Sequence, residues 1–272
     1  MRRALTIAGS DSGGGAGIQA DLKTFQELEV FGMSAITAVT AQNTLGVHGV
    51  YPMTPEAVAK QIEAIGEDIG ADAVKTGMLF NAEIIEAVAE KIRRYQWESL
   101  VVDPVMIAKG GASLLQQEAI SAMKTHLLPL AMVITPNIPE AEVLTGMSII
   151  TTEDKKEAAK RLAAFGVKNV VIKGGHDEDP ALSTDLLFDG LDYFTFTNKR
   201  IDTKNTHGTG CTFSAALTAE LAKGTTIYDS VDKAKAFIQA AIEAGIEIGN
   251  GHGPTNHWAF RKGKNGKEMA QL

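Results

Sequence analysis

The amino-acid sequence predicts an α/β fold in which a mostly parallel sheet lies between helices on both faces. Short apolar runs alternate with longer segments of helical periodicity, as in successive strand–helix units. Glycine-rich segments come directly before two of the helical segments, as ligand loops at the carboxyl edge of such a sheet do. An Asp-Gly pair between two strand-like segments indicates a hairpin at one edge.

Six short apolar runs are typical of strands that are buried on both faces of a sheet. These are Ala4–Ala8, Ser34–Thr40, Ala73–Thr76, Leu100–Asp103, Met132–Thr135 and Asn169–Lys173. The helix-periodic segments between them are Ile18–Leu28, Pro55–Gly66, Glu83–Tyr95, Gln116–Leu127 and Glu153–Phe165. Strands Ser183–Phe188 and Tyr193–Thr197 flank Asp189-Gly190 as an antiparallel addition, and helices Gly210–Ala222 and Ile227–Ile246 follow.

Length and composition favour one globular domain. No low-complexity linker divides the 272 residues, so we expect a single domain over residues 1–260 and a flexible tail over 261–272. The net charge of −7 argues against nucleic acid or a membrane surface as a partner. One cysteine excludes an intrachain disulfide, and the first apolar run has only five residues. That run is too short for a signal peptide, so we expect a cytoplasmic protein.

The first glycine-rich loop, Gly9–Gly17, follows a strand and opens a helix. Its Gly15-Ala16-Gly17-Ile18-Gln19-Ala20 stretch matches the dinucleotide-binding pattern, but the second strand ends without the acidic residue that binds a ribose. A flexible turn is the plainer alternative. The better interpretation is a loop that lets a substrate approach the backbone, with Asp21 in the first helical turn as a polar contact.

The strongest local signal is the segment Asn205–Thr212, which precedes an amphipathic helix. Converging backbone N–H groups and the helix dipole predict an anion site that suits a transferring phosphoryl group. An ordinary helix cap is the alternative, although one Ser or Thr suffices for a cap. Cys211 lies in the first helical turn, where a thiol pKa tends to fall, and a buried structural cysteine is the other interpretation. His207 fits a loop hydrogen bond as well as a catalytic role.

Charged residues follow three of the predicted strands. Asp103 and Glu140 come after neighbouring strands, where two carboxylates can hold Mg²⁺ through water. Lys173 ends a further strand and can reach an ATP phosphate. Taken singly, these residues also fit a turn, a helix start and a solvated lysine. Met78, after the third strand, can pack on a flat ring or fill the core.

The ordered series of motifs resembles the bacterial hydroxymethylpyrimidine/phosphomethylpyrimidine kinases of thiamine biosynthesis, which belong to the ribokinase-like superfamily. The resemblance extends to about Phe260. The motifs that carry it are Thr6–Asp11, Gly13–Asp21, Ala41–Thr44, Lys75–Leu79, Val102–Met106, Thr135–Glu140, Lys173–His176, Asn205–Thr212 and Gly251–Pro254.

The resemblance implies a three-layer α/β/α ribokinase-like fold and two ATP-dependent steps. 4-Amino-5-hydroxymethyl-2-methylpyrimidine is phosphorylated on its hydroxymethyl oxygen, and the monophosphate then becomes a pyrophosphate. Applied to this chain, the resemblance implies a pyrimidine site that contains Gln42, Asp21, Gly9, Met78 and Val105. It also implies a homodimer.

The same resemblance implies where ATP and Mg²⁺ bind. The anion hole and catalytic segment comprises Gly208, Thr209, Gly210 and Cys211. The ATP site includes Lys173, Asn137 and Lys235, with Lys235 near the adenine, and Asp103 and Glu140 organise Mg²⁺.

Cys211 occupies a position where many ribokinase-like enzymes carry an aspartate base. The attacking group of the second step is a phosphate that is already anionic, so it needs positioning more than a base. We therefore expect Cys211 to assist the first step and to be nearly dispensable for the second.

Three alternatives remain open from the sequence. A pyridoxine or pyridoxal kinase also phosphorylates a hydroxymethyl group on a flat ring, although the amide of Gln42 favours an aminopyrimidine. A nucleotide oxidoreductase would leave Asn205–Thr212 unexplained. A non-catalytic binding module would leave unexplained why Asp103, Glu140 and Lys173 are all present.

Overall fold

The alternation of short apolar segments and helices builds a nine-stranded sheet with helices on both faces. The computed structural model describes residues 1–106, 117–176 and 180–261. The strands are β1 (Arg3–Asp11), β2 (Phe31–Asn43), β3 (Gly46–Pro52), β4 (Ala73–Thr76), β5 (Leu100–Val102), β6 (Val133–Ile134), β7 (Asn169–Ile172), β8 (Leu182–Phe188) and β9 (Tyr193–Lys199).

Eight α-helices connect or follow the strands in the described residues. They are α1 (Gly17–Glu27), α2 (Pro55–Asp68), α3 (Ala82–Tyr95), α4 (Gln117–Ala122), α5 (Ile138–Thr145), α6 (Thr152–Ala163), α7 (Thr209–Ala222) and α8 (Ile227–Glu243). A π-helical turn at Met123–Leu127 and a 3-10 turn at Leu128–Leu130 extend α4. None of the described helices has the length and apolar character that crossing a bilayer requires.

The strand order is β3-β2-β1-β4-β5-β6-β7-β8-β9. Six parallel strands, β2 to β7 in spatial order, form the centre, and antiparallel strands close both edges. The chain moves outward from β1 to β2 and then returns to the other side of β1 for β4. The carboxyl ends of β1 and β4 therefore flank the point where the strand order reverses, which is where open α/β sheets bind ligands.

Two apolar cores lie on opposite faces of this sheet. Strand β5 shows the alternation: Leu100 and Val102 face the core under α2 to α6, whereas Val101 faces the core under α1, α7 and α8. All three side chains are fully buried, as expected for a strand covered on both faces. Helix α7 is buried along most of its length because it lies between α1 and α8 against the sheet.

The predicted three-layer fold and edge hairpin are confirmed, and every predicted strand is present with ends shifted by a few residues. Two elements were not predicted. Strand β3 is half-exposed and contains two glycines, so it lacks a strand-like apolar run. Helix α5 begins with Ile138-Pro139, and its capping box between Asn137 and Glu140 marks a start that the proline obscured. Of the tail predicted over residues 261–272, residues 262–272 lie outside the described residues.

Candidate active site

A cavity of about 710 Å³ opens at the carboxyl edge of the central strands. Its walls come from the segments that follow β1, β4, β5, β6 and β7, together with the first turn of α7. The fold thus brings together motifs that lie up to 200 residues apart, because parallel strands all end at the same edge. Thirteen of the fourteen predicted site residues line this cavity: Gly9, Gln42, Met78, Asp103, Val105, Asn137, Glu140, Lys173, Gly208, Thr209, Gly210, Cys211 and Lys235.

Helix α7 points its amino terminus into the cavity. Gly208 is the N-cap and has a φ of +83°, in the left-handed region that favours glycine. A β-carbon at Gly208 would also overlap the carbonyl oxygen of Gly15 in the first glycine-rich loop. Both glycine motifs are therefore needed for a close approach of two loops, which places the positive end of the helix dipole in the cavity.

Cys211 differs from the sequence-based expectation. It lies in the first turn of α7 and is only partly accessible from the cavity. Burial raises the pKa of the Cys211 thiol to about 11, although Lys75 acts in the opposite direction. The expected fall of the pKa at a helix amino terminus is therefore wrong, because loss of water outweighs the helix dipole. At neutral pH the group is a thiol.

Asp21 is the one predicted site residue that does not line the cavity. Its side chain is fully buried below the cavity, where one oxygen lies 2.7 Å from Lys75 Nζ and the other accepts a 2.6 Å hydrogen bond from Thr6. The prediction that its side chain contacts the substrate directly is therefore wrong. Burial opposes the charged form of Lys75, but attraction to Asp21 raises its pKa above the usual value. Asp21 thus keeps a cation at the cavity wall.

Asp103, Lys173 and Ser214 form a connected group beside α7. One oxygen of Asp103 lies 3.1 Å from Lys173 Nζ, and the other accepts a 3.1 Å hydrogen bond from the Ser214 hydroxyl. Gly210 adjoins this group, since a β-carbon there would lie 3.4 Å from Lys173 Nζ. Although burial opposes it, attraction to Asp103 and Glu140 raises the pKa of Lys173. The lysine is therefore a fixed cation next to the anion site.

Glu140 and Asn137 sit at the start of α5. The Asn137 amide oxygen accepts from the Glu140 backbone N–H, and the Glu140 carboxylate accepts from the Asn137 backbone N–H, each at 2.8 Å. Burial, followed by repulsion from Asp103, raises the pKa of Glu140 to about 7 even though Lys173 acts in the opposite direction. Two buried carboxylates that repel each other would be stabilised by a divalent cation.

The donor set fits Mg²⁺ only with water or phosphate oxygens to complete it. Within residues 1–106, 117–176 and 180–261, no three His, Cys, Asp or Glu side chains are grouped closely enough to hold a metal by themselves. Mg²⁺ typically keeps several waters and takes one or two carboxylates plus substrate phosphates. Asp103 and Glu140 match that pattern.

Part of the cavity wall is apolar. Met78 approaches the backbone of β1 so closely that a β-carbon at Gly9 would lie 2.5 Å from its Cε. Gly9, Met78, Val105 and Gln42 all line the cavity. A planar ring can therefore lie against a thioether and a valine side chain, with one amide to read its edge.

Gln42 belongs to a polar cluster that the sequence did not reveal. The His207 Nε2 lies 2.8 Å from Asp11 Oδ2 and 3.3 Å from the Gln42 side-chain amide, which also contacts Thr40. Burial of Asp11 opposes its ionisation, but hydrogen bonds from His207, Gly13 and Ala16 hold its pKa below the usual value. Strand order in space, and not spacing in the chain, brings these residues together.

Lys235 lines the cavity with its charge already paired. Its Nζ lies 2.9 Å from Asp185 and 3.0 Å from the Ser183 carbonyl oxygen. Asp185 also accepts a 2.7 Å hydrogen bond from the Gly174 backbone N–H, which follows Lys173. Lys235 therefore ties α8 to the hairpin and to the loop after β7. Its partner Asp185 lies in β8 and was not predicted as a site residue.

Solved structures share this fold and identify its class. The ADP complex of Bacillus subtilis pyridoxal kinase is 45% identical, with a TM-score of 0.89 over 96% of this chain and 99% of that chain. A Clostridium difficile phosphomethylpyrimidine kinase is also 45% identical, with a TM-score of 0.80 over 89% of this chain and all of that chain. With glycine loops, paired cations and carboxylates at one sheet edge, the fold and the site define a ribokinase-like kinase of small molecules.

Sequence comparison identifies the family within that class. The family model for phosphomethylpyrimidine kinase matches residues 11–256. A Bacillus subtilis hydroxymethylpyrimidine/phosphomethylpyrimidine kinase is 60% identical over 260 residues, which cover 96% of each chain. The chain belongs to the phosphomethylpyrimidine kinase family.

Proposed function

We propose that the protein transfers the γ-phosphoryl group of ATP to 4-amino-5-hydroxymethyl-2-methylpyrimidine, and then to the resulting monophosphate to give the pyrophosphate. The observation that carries this proposal is one continuous cavity that is lined both by the apolar side chains of Met78 and Val105 and by the amino terminus of α7. The 60% identity to a relative named for both phosphorylations supports the two-step activity.

The acceptor binds at the Gln42 end of the cavity. The ring packs against Met78 and Val105, Gly9 leaves room for it at the backbone, and Gln42 binds its polar edge. This arrangement directs the hydroxymethyl group toward Cys211 and the first turn of α7. Asp21 contributes indirectly, because it holds Lys75 in its charged state.

ATP binds with its phosphates near α7. The backbone of Gly208, Thr209, Gly210 and Cys211 stabilises charge on the transferring group, and Lys173 neutralises further charge beside it. Asn137 lines the phosphate end, whereas Lys235 and Asp185 border the end toward α8, where the adenine is expected. Asp103 and Glu140 hold Mg²⁺ through water. When bound, Mg²⁺ supplies charge neutralisation between phosphate oxygens.

The two steps place different demands on Cys211. An alcohol must lose its proton during the first transfer. Cys211 can accept this proton only when its side chain is a thiolate. A phosphate monoester attacks as an anion in the second step, so positioning and charge neutralisation suffice.

Pyridoxal phosphorylation is the second candidate. Bacillus subtilis and Staphylococcus aureus pyridoxal kinases reach TM-scores of 0.89 and 0.90, above the 0.80 of the Clostridium difficile phosphomethylpyrimidine kinase. The apolar wall formed by Met78 and Val105 suits a pyridine as well as a pyrimidine. The higher sequence identity to relatives named for pyrimidine phosphorylation favours the pyrimidine.

The deciding assay measures ATP consumption with Mg²⁺ on three acceptors: the hydroxymethylpyrimidine, its monophosphate and pyridoxal. Mass spectrometry identifies each product. We expect both pyrimidines to be phosphorylated, with the monophosphate giving the pyrophosphate. Turnover of pyridoxal alone would contradict the proposal and would assign the same site to the phosphorylation of a pyridine. Omission of Mg²⁺ is the matched control. Activity without any divalent cation would contradict the proposal that Asp103 and Glu140 hold Mg²⁺ for the reaction.

We also propose a homodimer in the cytoplasm. The edge strand β3, its neighbour β2 and the turn between them expose the apolar side chains of Tyr51, Val39 and Leu45, of which 65%, 42% and 69% are accessible. Apolar side chains on an open sheet edge favour association with a second copy. Light scattering would test this, since a dimer has twice the chain mass. The single cysteine suits a reducing compartment.

A further inference from the structure

The side-chain amide of Gln42 lies between two polar neighbours at the ring end of the cavity. In the structure, its Nε2 is 3.3 Å from His207 Nε2, and its Oε1 is 3.0 Å from Thr40 Oγ1. Oxygen and nitrogen of an amide have nearly the same size, so the neighbours decide which of the two orientations is stable. The other contacts of each neighbour determine whether it donates to the amide or accepts from it.

His207 must donate a proton from Nε2. The Asp11 Oδ2 lies 2.8 Å away and, as part of a carboxylate, it only accepts hydrogen bonds. The Asp11 carboxylate also accepts from the backbone N–H groups of Gly13, Gly15 and Ala16, which are typical contacts of an ionised carboxylate. If His207 Nε2 lacked its hydrogen, two lone pairs would face each other at 2.8 Å. The one hydrogen on Nε2 points to Asp11, so Nε2 has no lone pair that could accept from a Gln42 N–H. The Gln42 atom opposite Nε2 should therefore be the oxygen.

The contacts of Thr40 independently require the same orientation of the Gln42 amide. Its Oγ1 lies 3.0 Å from the Ser10 backbone carbonyl oxygen, which can only accept. The single hydroxyl hydrogen of Thr40 therefore points to Ser10, and its oxygen offers a lone pair to Gln42. The Gln42 atom opposite that lone pair should be the N–H donor.

We infer that the Gln42 amide is turned so that Oε1 faces His207 and Nε2 faces Thr40. His207, together with Thr40, is a positioning residue that fixes this orientation and thereby determines substrate specificity. One N–H and one oxygen lone pair of the amide then remain for the ligand. Because the amide cannot turn over, the positions of this donor and this acceptor in the cavity are fixed. A ring edge with an amine donor beside an acceptor ring nitrogen pairs with that order, whereas an edge of reversed polarity opposes it. This inference rests on the proposed function, in which Gln42 reads the aminopyrimidine edge.

The surroundings of His207 hold its ring in place. Its backbone N–H donates to Gly253, and its carbonyl oxygen accepts from Thr255, at 3.1 and 3.3 Å. The ring packs against Gly15 so closely that a β-carbon there would lie 2.5 Å from Cδ2. The next residue, Gly208, is the N-cap of α7. His207 thus links Gln42, which binds the edge of the substrate ring, to the anion site at the start of α7.

Two pyrimidines of the same shape and opposite polarity test the inference. The 4-amino substrate has a donor at position 4 beside an acceptor at N3, whereas its 4-oxo analogue has an acceptor beside an N3–H donor. The wild-type protein should prefer the amino compound in kcat/KM by about 100-fold, since two hydrogen bonds of about 1–1.5 kcal/mol each are lost. The measured quantity is the amino-to-oxo ratio.

The variant His207→Leu removes one of the two groups that hold the amide and leaves only Thr40, so the ratio should fall toward about tenfold. His207→Gln keeps an N–H at a similar reach and should restore most of the ratio. His252→Leu, at an exposed histidine, is the control and should keep the wild-type ratio. A ratio that stays unchanged in His207→Leu, or equal losses on both compounds, would overturn the inference.

A spectroscopic measurement gives a second and independent answer. Long-range ¹H–¹⁵N correlation spectra of the wild-type protein should show that His207 Nε2 carries a hydrogen, and an unprotonated, pyridine-like Nε2 would overturn the assignment. Failure of the proposed function has a different signature. Wild-type protein that phosphorylates pyridoxal and neither pyrimidine would refute the function, whereas a preserved preference in His207→Leu refutes only the role of His207.

Discussion

At the residue scale, Cys211 shows how burial changes the chemistry of a side chain. A cysteine in the first turn of a helix is expected to be acidic, yet here its pKa rises to about 11 because the cavity wall shields it from most of the solvent. The same residue borders Lys75, a buried cation whose charge depends on Asp21. Whether Cys211 accepts a proton is therefore decided by its surroundings.

The first prediction concerns the pH dependence of the two phosphorylation steps. Below a pKa of about 11, the thiolate fraction of Cys211 grows about tenfold for each pH unit. The rate of the first step in wild-type protein should therefore rise between about pH 7 and about pH 9, and the second step should change little. Single-turnover rates on the alcohol and on the monophosphate would measure this.

Cys211→Ala is the matched variant. It should lower the first step by roughly 10²-fold and abolish its rise with pH, while the second step should stay within about threefold. Cys211→Ser, with a far less acidic hydroxyl, should resemble the alanine variant. Equal losses on both steps would contradict a role as proton acceptor and would leave Cys211 with a role in positioning only.

Residue identity alone predicted most of the cavity wall but not how its residues pair. Gln42, Met78, Lys173 and Asp103 were predicted from motifs and all line the cavity. Asp21 was wrongly expected to touch substrate, because its motif gives its position along the chain and not its depth below the surface. The Asp11–His207 pair was missed, since 195 intervening residues leave no pattern in the sequence.

At the element scale, α7 depends on a glycine at its start. Gly208 combines a φ of +83° with a close approach to the Gly15 carbonyl, and the residues from Thr212 to Ala222 are buried between α1 and α8. The helix cannot withdraw from the loop, because its sides are packed. The anion site therefore depends on the absence of a side chain at this position.

The second prediction compares two glycines of the same backbone conformation at opposite ends of α7. Gly208→Ala should abolish most activity, by 10²-fold or more, because the methyl group separates the two loops. Gly224→Ala has a φ of +84° and no atom within 4 Å of the added carbon, so it should cost about 1 kcal/mol of stability and leave activity nearly unchanged.

Activity assays and urea unfolding of both variants measure the two effects separately. Loss of activity only in Gly208→Ala, with both variants still folded in the absence of urea, would support the role of the close approach. Full activity in Gly208→Ala would contradict the placement of the anion site at this helix end.

At the scale of the whole molecule, folding buries two titratable groups, His257 and Glu140, whose pKa values shift in opposite directions. His257 lies under α7, where its Nε2 is 3.0 Å from the Thr212 hydroxyl, and burial lowers its pKa to about 4. Glu140 has a pKa of about 7, above its ordinary value. Folding therefore disfavours protonated His257 and ionised Glu140.

The third prediction concerns stability against pH. The unfolded chain binds a proton at His257 near pH 6.5, and the folded protein does so only near pH 4. The contribution of His257 is therefore fully present above pH 6.5 and is lost as the pH falls toward 4, by up to about 3 kcal/mol. Glu140 has the opposite trend, since its contribution is lost as pH rises from about 4.5 to about 7.

Comparison with His257→Gln isolates the histidine, because both proteins retain Glu140. From about pH 7 to about pH 5, the wild-type free energy of unfolding should fall by about 2 kcal/mol more than that of the variant. His48→Gln, at an exposed histidine, should behave as wild type. Urea unfolding at both pH values provides the measurement, and equal pH trends in wild type and His257→Gln would show that His257 is not buried as a neutral group.

The layered α/β fold, the strands of the parallel sheet and the loops that line the cavity were all predicted from the amino-acid sequence. This was possible because hydrophobic periodicity and glycine-rich turns are local properties of the chain. Four features became evident only in the folded structure. They are the antiparallel edge strand β3, the complete burial of Asp21, the raised pKa of Cys211, and the cluster of Asp11, His207 and Gln42. These features depend on solvent exclusion and on contacts between distant segments, which exist only after the sheet has assembled.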